Sequence, residues 1–405
     1  MRVGAVGLGR VLLGVLMLAA WPAWTFADDG GAVPANEAET MTTYVTLRAG
    51  GGVVSGRLLG VDVEGVSLES DDGSAEMFSW DRVRSVAGAG SELASEFASI
   101  ADRMWRARTR LERGDAPAAE PLFEALFERY AGGTGPSSRV VAEGLLRCRL
   151  RRNAYASAVE AWLAALTAGA TELDTLAPGL EGEARPRWLV SALPPIWTDT
   201  PASRTLARSA WAGDDDATSP AARAMGAWYR AAAAFESGLE LDRDALASAR
   251  AVRDAEVEFV RAIVESRVGS PAERAGGRAY LSVRIEAGLP AWGEAWARAA
   301  LGRSMLMETD EETRLLGVLE LLHLPARLRG AQPYLAGLAL HEAAGALASM
   351  GQGEEAARVR EEFRRSFPGH PLLSTVGGGA EPVVVASRVV LLGPAPGFAE
   401  GAGAR

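Results

Sequence analysis

Arginine supplies the side chains with the clearest binding chemistry in this sequence, because all 42 basic residues are Arg. The planar guanidinium group binds a carboxylate through two parallel hydrogen bonds. Two groups of arginines lie in stretches with helical periodicity, where they could clamp carboxylates of a partner, although a solvated helix face explains them equally well. The candidate partner-binding arginines are Arg103, Arg106 and Arg110 in the first group and Arg149 and Arg152, beside Arg147, in the second.

Two tryptophans form a second candidate binding element. Trp188 and Trp197 flank the dipeptide Pro194-Pro195 in the stretch RPRWLVSALPPIWTDTPAS. Exposed aromatic rings beside proline could bind a peptide or a glycan. The alternative, which we favour, is that both rings pack where a helical array is interrupted.

Residues for catalysis or metal binding are not grouped in the sequence. Cys148 is the single cysteine, so no intramolecular disulfide can form, and its apolar surroundings favour a buried thiol. The three histidines, His323, His341 and His370, are scattered. The acidic run Asp214–Asp216 lacks the alternating spacing of a calcium loop, and a solvated loop explains it better. We therefore predict no catalytic residues, no metal site and no cofactor.

The overall charge argues against a nucleic-acid partner. The formal net charge is −10 and the pI is near 5.1, whereas phosphate binding requires a basic face. An apolar content of 48% and a charged content of 23% are typical of a globular protein. A length of 405 residues suffices for two or three domains.

The first residues have the three-part layout of a secretory signal peptide. Arg2 and Arg10 precede the apolar run Val11–Ala20, and small residues lead to a cleavage site expected after Ala27. We therefore predict an exported protein, periplasmic or secreted, with no integral membrane span after cleavage. An uncleaved membrane anchor is the alternative.

A short β-rich module follows. VVSGRLLGVDVEGVSLESDDGSAEMFSW, Val53 to Trp80, alternates between apolar and polar residues as strands do. Asp71–Ser74 is a hairpin signal, with Gly73 able to adopt a positive φ. Five short strands in so few residues predict a small closed barrel.

This module resembles the small barrels of the SH3 and Sm type. The resemblance rests on VTLRAGGGVVSGRLLGVDVEGVSL, with its glycine turn followed by Gly56 and Asp62. In Sm proteins that bind RNA, the segment after the Asp supplies an Asn that contacts bases. Val63-Glu64-Gly65 stands there in this chain, so the resemblance implies the fold and not RNA binding.

The remaining sequence has the periodicity of paired helices. Two successive units align at a constant offset of 39 residues, and the last unit, LALHEAAGALASMGQGEEAARVREEFRRSFPGHP, resembles a tetratricopeptide repeat. Its ending resembles the last repeat of exported bacterial tetratricopeptide proteins. The aligned positions are Leu111 with Leu150, Gly114 with Asn153, Ala119 with Ala158, and Phe123 with Trp162.

Together these features predict a mainly α protein, a tetratricopeptide-like α-solenoid preceded by a small five-stranded β-barrel. In the tail, Val383–Leu392 could add a strand to the β module or to a partner. The predicted parts are a signal peptide (1–27), a linker (28–42), the SH3/Sm-like barrel (43–88), helical repeats (91–184), a Pro-rich linker (185–203), further helical repeats (204–372) and a flexible tail (373–405).

The function predicted from the sequence is that of a non-catalytic, exported interaction or scaffold protein. Stacked helix pairs form a long groove that can hold a protein or peptide partner. Two alternatives stay open: a cell-envelope hydrolase that acts on glycan or peptide, and a self-assembling structural component. The oligomeric state is left open.

Overall fold

The computed structural model describes residues 42–170, 188–209 and 219–376. The predicted signal peptide, nearly all of the first linker, the Asp214–Asp216 run and most of the predicted tail lie outside the described residues.

The described chain begins with a five-stranded antiparallel sheet. The strand order is β4-β3-β2-β1-β5, and Gly73 adopts a φ of 81° in the predicted hairpin between β3 and β4. The strands are β1 (Thr42–Leu47), β2 (Val53–Asp62), β3 (Gly65–Glu69), β4 (Ala75–Phe78) and β5 (Val83–Ala87).

Fifteen α-helices follow in the described residues, so the protein is mainly helical. They are α1 (Ser91–Glu96), α2 (Ala98–Glu112), α3 (Ala116–Tyr130), α4 (Pro136–Arg151), α5 (Tyr155–Thr167), α6 (Pro201–Arg208), α7 (Pro220–Glu236), α8 (Arg243–Arg250), α9 (Ala255–Val268), α10 (Pro271–Glu286), α11 (Ala291–Met305), α12 (Glu311–His323), α13 (Pro333–Ser349), α14 (Gly353–Ser366) and α15 (Pro371–Val376), with a π-helical segment, Leu324–Leu328, after α12. Among these helices, none combines the length and the apolarity needed to cross a bilayer.

The predicted closure of the sheet into a barrel is wrong. Strands β4 and β5 lie at opposite edges, and no strand pairing joins them. The physical reason is that helices, and not a second layer of the same sheet, cover the apolar face. Strand β5 pairs with β1 on one side and contacts α1 and α2. One buried cluster joins the inner face of the sheet to α2, α3 and α4. The sheet contributes Val45, Val66, Leu68, Phe78 and Trp80, and the helices contribute Met104, Leu126, Tyr130 and Val141.

The turn between β2 and β3 attaches the sheet to the start of α4. The Glu64 carboxylate accepts a hydrogen bond from the backbone N–H of Ser138 at 2.9 Å, and a carboxylate is stabilised at a helix N-terminus. The Ser137 hydroxyl donates to the Glu64 carbonyl at 2.8 Å, and the Tyr130 hydroxyl donates to the Val63 carbonyl at 2.9 Å. The Val63-Glu64-Gly65 stretch therefore binds the sheet to the helices.

Consecutive helices pack as hairpins, and the hairpins α2/α3, α4/α5 and α13/α14 close with the same turn. Gly114, Asn153 and Gly351 have φ values of 85°, 60° and 80°. In each case the next backbone N–H donates to the carbonyl five residues earlier at 2.9 Å, which is the bonding of a Schellman turn. The predicted equivalence of Gly114 and Asn153 at an offset of 39 is thus confirmed. The hairpins are α2/α3, α4/α5, α9/α10, α11/α12 and α13/α14.

Helices α11 and α12 cross at two glycines. A β-carbon added to Gly302 would lie 2.8 Å from the carbonyl oxygen of Gly317, and one added to Gly317 would lie 2.9 Å from the carbonyl oxygen of Gly302. Because these neighbours are backbone atoms, they cannot move aside without separating the helices.

We expect Gly302→Ala to lower the free energy of unfolding by about 1–3 kcal/mol through overpacking at this crossing. The matched control is Gly345→Ala on α13, where an added β-carbon meets no atom within 4 Å. This control should stabilise the protein by about 0.5–1 kcal/mol through helix propensity. Urea denaturation of both variants checks the prediction, and equal effects would contradict it.

Candidate functional site

Two of the candidate arginines, Arg110 and Arg149, span the turns of their own hairpins. Arg110 Nη1 donates to the Ala118 carbonyl at 3.1 Å, and Arg149 Nη1 donates to the Ser157 carbonyl at 2.5 Å. Donors and acceptors both repeat at the predicted offset of 39. These arginines therefore tie the first helix of each hairpin to the second.

The other three candidate arginines have different surroundings. Arg152, directly after α4, pairs with Glu120 on α3, and its Nε lies 2.9 and 2.8 Å from the two carboxylate oxygens. Arg106 pairs with Asp102 one turn earlier on α2, and Arg103 is exposed. The structure thus does not bring the five candidate arginines together in one site.

The segment that carries the two candidate tryptophans follows an irregular path through the interior. Between Trp188 and Thr200 the chain has no helix or strand. Four of its side chains are nonetheless at most 2% exposed: Leu189, Val190, Leu193 and Trp197. This burial agrees with packing as the role of Trp197. Because buried backbone groups need hydrogen-bond partners, the segment depends on side chains from the surrounding helices.

Those partners come from five alternate helices of the array. The Tyr229 hydroxyl donates to the Leu193 carbonyl at 2.6 Å, and Arg303 Nη2 donates to the Trp197 carbonyl at 2.9 Å. We call the face formed by α7, α9, α11 and α13 the filled groove, because this segment occupies it. The side chains that bond to the segment's backbone are Trp162 on α5, Tyr229 on α7, Glu256 on α9, Arg303 on α11 and Gln332 at the start of α13.

Arg303 is the centre of a buried ion network in the filled groove. Its side chain is 5% exposed, and its Nε lies 2.9 Å from each carboxylate oxygen of Glu342. Its Nη2 lies 3.2 Å from Glu236, which also accepts a hydrogen bond from Arg267 Nε at 2.9 Å. Burial alone would raise the pKa of Glu236, but Arg303 and Arg267 hold that pKa below its usual value. The adjoining cavity of about 10 Å³ has room for one water molecule.

A second groove, between α2 and α4, is open. It contains a cavity of about 300 Å³, and we call it the open groove. Phe123 of α3 lies against Gly144, where any β-carbon would collide with the aromatic ring. Glycine at this position therefore leaves room for the ring, which lines the cavity. The apolar lining consists of Leu111, Phe123, Val140 and Gly144.

The charged lining of the open groove includes three arginines with different partners. Arg108 is neutralised by Asp81, at 2.5 Å, and by Glu112, at 2.6 Å. Arg147 is 3.9 Å from Glu143. Among the described residues, Arg151 has one long hydrogen bond, 3.4 Å, to the Leu111 carbonyl. The charged lining consists of Arg108, Glu112, Glu143, Arg147 and Arg151.

Glu143 is only weakly paired. Its carboxylate is 4.0 Å from Arg139 and 3.9 Å from Arg147. Burial raises the pKa of the Glu143 carboxyl above its usual value, although both arginines act to lower it. Arg147 and Arg151 are therefore the groove's least compensated cations.

Reasoning from the sequence missed Arg108 and Arg151 as groove residues. The signal that could have found the groove is the pair Arg108 and Arg147, which occupies equivalent positions at the offset of 39. Equivalent positions of stacked repeats lie side by side. Two arginines at equivalent positions on the first helices of adjacent hairpins therefore face the same groove.

The described residues provide few reactive groups. Burial raises the pKa of the Cys148 thiol to about 11, so the thiol is protonated at neutral pH and is a poor nucleophile. In the part of the chain that the structure describes, no three His, Cys, Asp or Glu side chains are grouped as a metal site. The open groove is suited to binding through charge and apolar contact.

His370 is buried at the end of the last hairpin as a neutral imidazole. Its Nε2 is 3.0 Å from the Tyr334 carbonyl, and its Nδ1 accepts a hydrogen bond from the Leu372 N–H. The ring stacks on Tyr334 at 5.3 Å and meets Phe363 edge-on. Burial lowers the pKa of His370, although the bond to Tyr334 raises it and nearby His341 lowers it further.

We expect the protein to lose stability as the pH falls below about 6.5, the usual His pKa. Because the folded-state pKa of His370 is lowered, the unfolded chain takes up a proton first, and the stability present above pH 6.5 is lost as the pH falls towards the folded-state pKa. Urea denaturation at neutral and mildly acidic pH measures this loss. His370→Gln should show a smaller loss than the wild type, and an unchanged loss would contradict the assignment.

The chain matches no family model, no curated protein and no solved structure.

Proposed function

We propose that this protein is a non-catalytic, exported interaction protein whose tetratricopeptide-like helical array holds an extended segment of a partner protein. The observation that carries the proposal is the open groove. It combines an apolar floor with poorly compensated arginines, and the helical hairpins on either side hold it in shape.

The contrast between the two grooves supports this proposal. In the filled groove, side chains of several helices bond to the backbone of Trp188–Thr200, and this precedent supports the proposal that the array holds a peptide segment. The open groove lies on the first helices of two other hairpins. Peptide recognition needs hydrogen-bonding side chains along a groove with apolar pockets, and the open groove supplies both.

The sheet acts in this proposal as part of the scaffold. It shares a buried cluster with α2, α3 and α4, and Asp81, in the turn before β5, pairs with Arg108 at the groove. Export is part of the proposal because of the predicted signal peptide, which lies outside the described residues.

Quantitative co-purification tests the proposed function. Three proteins are purified from cells after chemical crosslinking: the wild type, Arg147→Glu/Arg151→Glu and the control Arg358→Glu/Arg364→Glu. The control reverses the charge of two exposed arginines on α14. We expect one reproducible partner with the wild type and the control, and a loss of at least tenfold with the groove variant. A partner recovered equally with all three proteins, or with none, would overturn the proposal.

Self-assembly is a second candidate, favoured by the outer face of the sheet. Tyr44, Val53, Leu59 and Met77 are exposed there on three strands. Large apolar side chains gathered on one exposed face are typical of interaction surfaces. Size-exclusion chromatography with light scattering tests this idea: the mass should rise with concentration, and Val53→Glu/Leu59→Glu should abolish the rise. A monomer at all concentrations would exclude self-assembly.

A further inference from the structure

We propose that the open groove selects acidic peptide segments, in which carboxylates bind Arg147 and Arg151 and an apolar side chain enters the cavity between α2 and α4. This inference rests on the partner-binding function proposed above and names the chemical class of its ligand.

The arrangement of charge along α4 is the first reason. Arg147 and Arg151 are one helical turn apart on α4, and like charges at this spacing disfavour each other. Among the described residues, the carboxylate of Glu143 lies nearest to Arg147, at 3.9 Å. Among the described residues, no carboxylate lies within 4.0 Å of Arg151. A ligand carboxylate placed between the two arginines relieves this repulsion and can form paired hydrogen bonds with either one.

The partners of Arg108 are the second reason. Arg108 forms ion pairs with the fully buried Asp81 and with Glu112 on the same helix. Because these two carboxylates neutralise its charge, Arg108 lines the groove without attracting a ligand carboxylate strongly. Attraction for a carboxylate is concentrated at Arg147 and Arg151.

The apolar floor is the third reason. A volume of about 300 Å³ exceeds what one Leu or Phe side chain needs, and apolar surface buried there contributes about 25 cal/mol per Å². A single anchor flanked by acidic residues therefore fits both halves of the site. Because the whole chain carries a net charge of −10, attraction for an acidic ligand must come from the groove itself.

Selection from a random peptide library tests the ligand class without assuming a sequence. A phage-displayed library of random dodecapeptides is selected on four purified proteins. They are the wild type, Arg147→Glu/Arg151→Glu, Gly144→Leu, whose side chain would collide with the Phe123 ring, and the control Arg358→Glu/Arg364→Glu. Thermal denaturation of each variant shows that it is folded. Peptides enriched on the wild type are then synthesised, and fluorescence anisotropy measures their affinities.

We expect the wild type and the control to enrich peptides rich in Asp and Glu around one large apolar residue. Their affinity should fall at least tenfold with either groove variant and should weaken as salt is added. Enriched peptides without an acidic bias that still lose affinity with Gly144→Leu would overturn the acidic class and leave the groove as a binding site. Enriched peptides that bind all four proteins equally would overturn both the inference and the groove's proposed function.

Discussion

Arg303→Met is expected to lower the free energy of unfolding by about 3–5 kcal/mol, since removing one member of a buried ion network leaves the other charges uncompensated. Arg303 is 5% exposed and bonds to Glu342, Glu236 and the Trp197 carbonyl. It therefore holds two carboxylates and the buried segment at once. Urea denaturation followed by far-UV circular dichroism measures the loss.

Two further variants separate loss of charge from loss of packing. Arg303→Met/Glu342→Gln removes one of the stranded charges and should recover part of the stability. Arg365→Met removes an arginine whose side chain is 72% exposed, and it should change stability by no more than about 0.5 kcal/mol. A loss below about 1 kcal/mol for Arg303→Met would show that the network does not stabilise the fold.

Trp197→Ala is expected to destabilise the protein by about 3–5 kcal/mol, the usual effect of truncating a buried tryptophan. Trp197 is 2% exposed, and its Nε1 donates to the Tyr229 carbonyl at 3.3 Å. Its ring also lies near the Tyr229 ring, with centroids 6.1 Å apart. The variant leaves a cavity in the filled groove, and the melting temperature should fall accordingly.

This prediction distinguishes packing from binding as the role of Trp197. Trp197→Phe keeps most of the ring volume and should lose less stability than Trp197→Ala. The exposed Leu316 on α12 provides a control, because Leu316→Ala should have little effect. If Trp197→Ala kept full stability but bound a partner poorly, the packing role would be wrong.

Local patterns in the sequence predicted the elements well. Alternation placed the strands, because residues such as Val45 and Phe78 must face a core while their neighbours face water. Gly114 and Asn153 marked the turns, because few other residues adopt a positive φ without strain. Closure of the sheet was not predictable in this way, since it depends on whether helices or strands cover β5.

The candidate site was harder to predict because burial and pairing are tertiary properties. In the sequence, Arg303 is indistinguishable from an exposed arginine on a helix, and only the fold brings it to Glu236 and Glu342. Arg110 and Arg147 lie equally well on helical faces, yet one spans a turn and the other lines a groove. The offset of 39 residues separates the two roles, because it pairs Arg110 with Arg149, which also spans a turn, and Arg147 with Arg108, which also lines the groove.

Site-specific photocrosslinking in living cells tests the central claim, that the open groove receives a partner, most directly. A benzoylphenylalanine at position 112, in the groove lining, is compared with one at position 316, on the exposed side of α12. The account predicts a discrete adduct from position 112 that disappears with Arg147→Glu/Arg151→Glu and does not form from position 316. The absence of any adduct from position 112, or the same adduct from both positions, would contradict it.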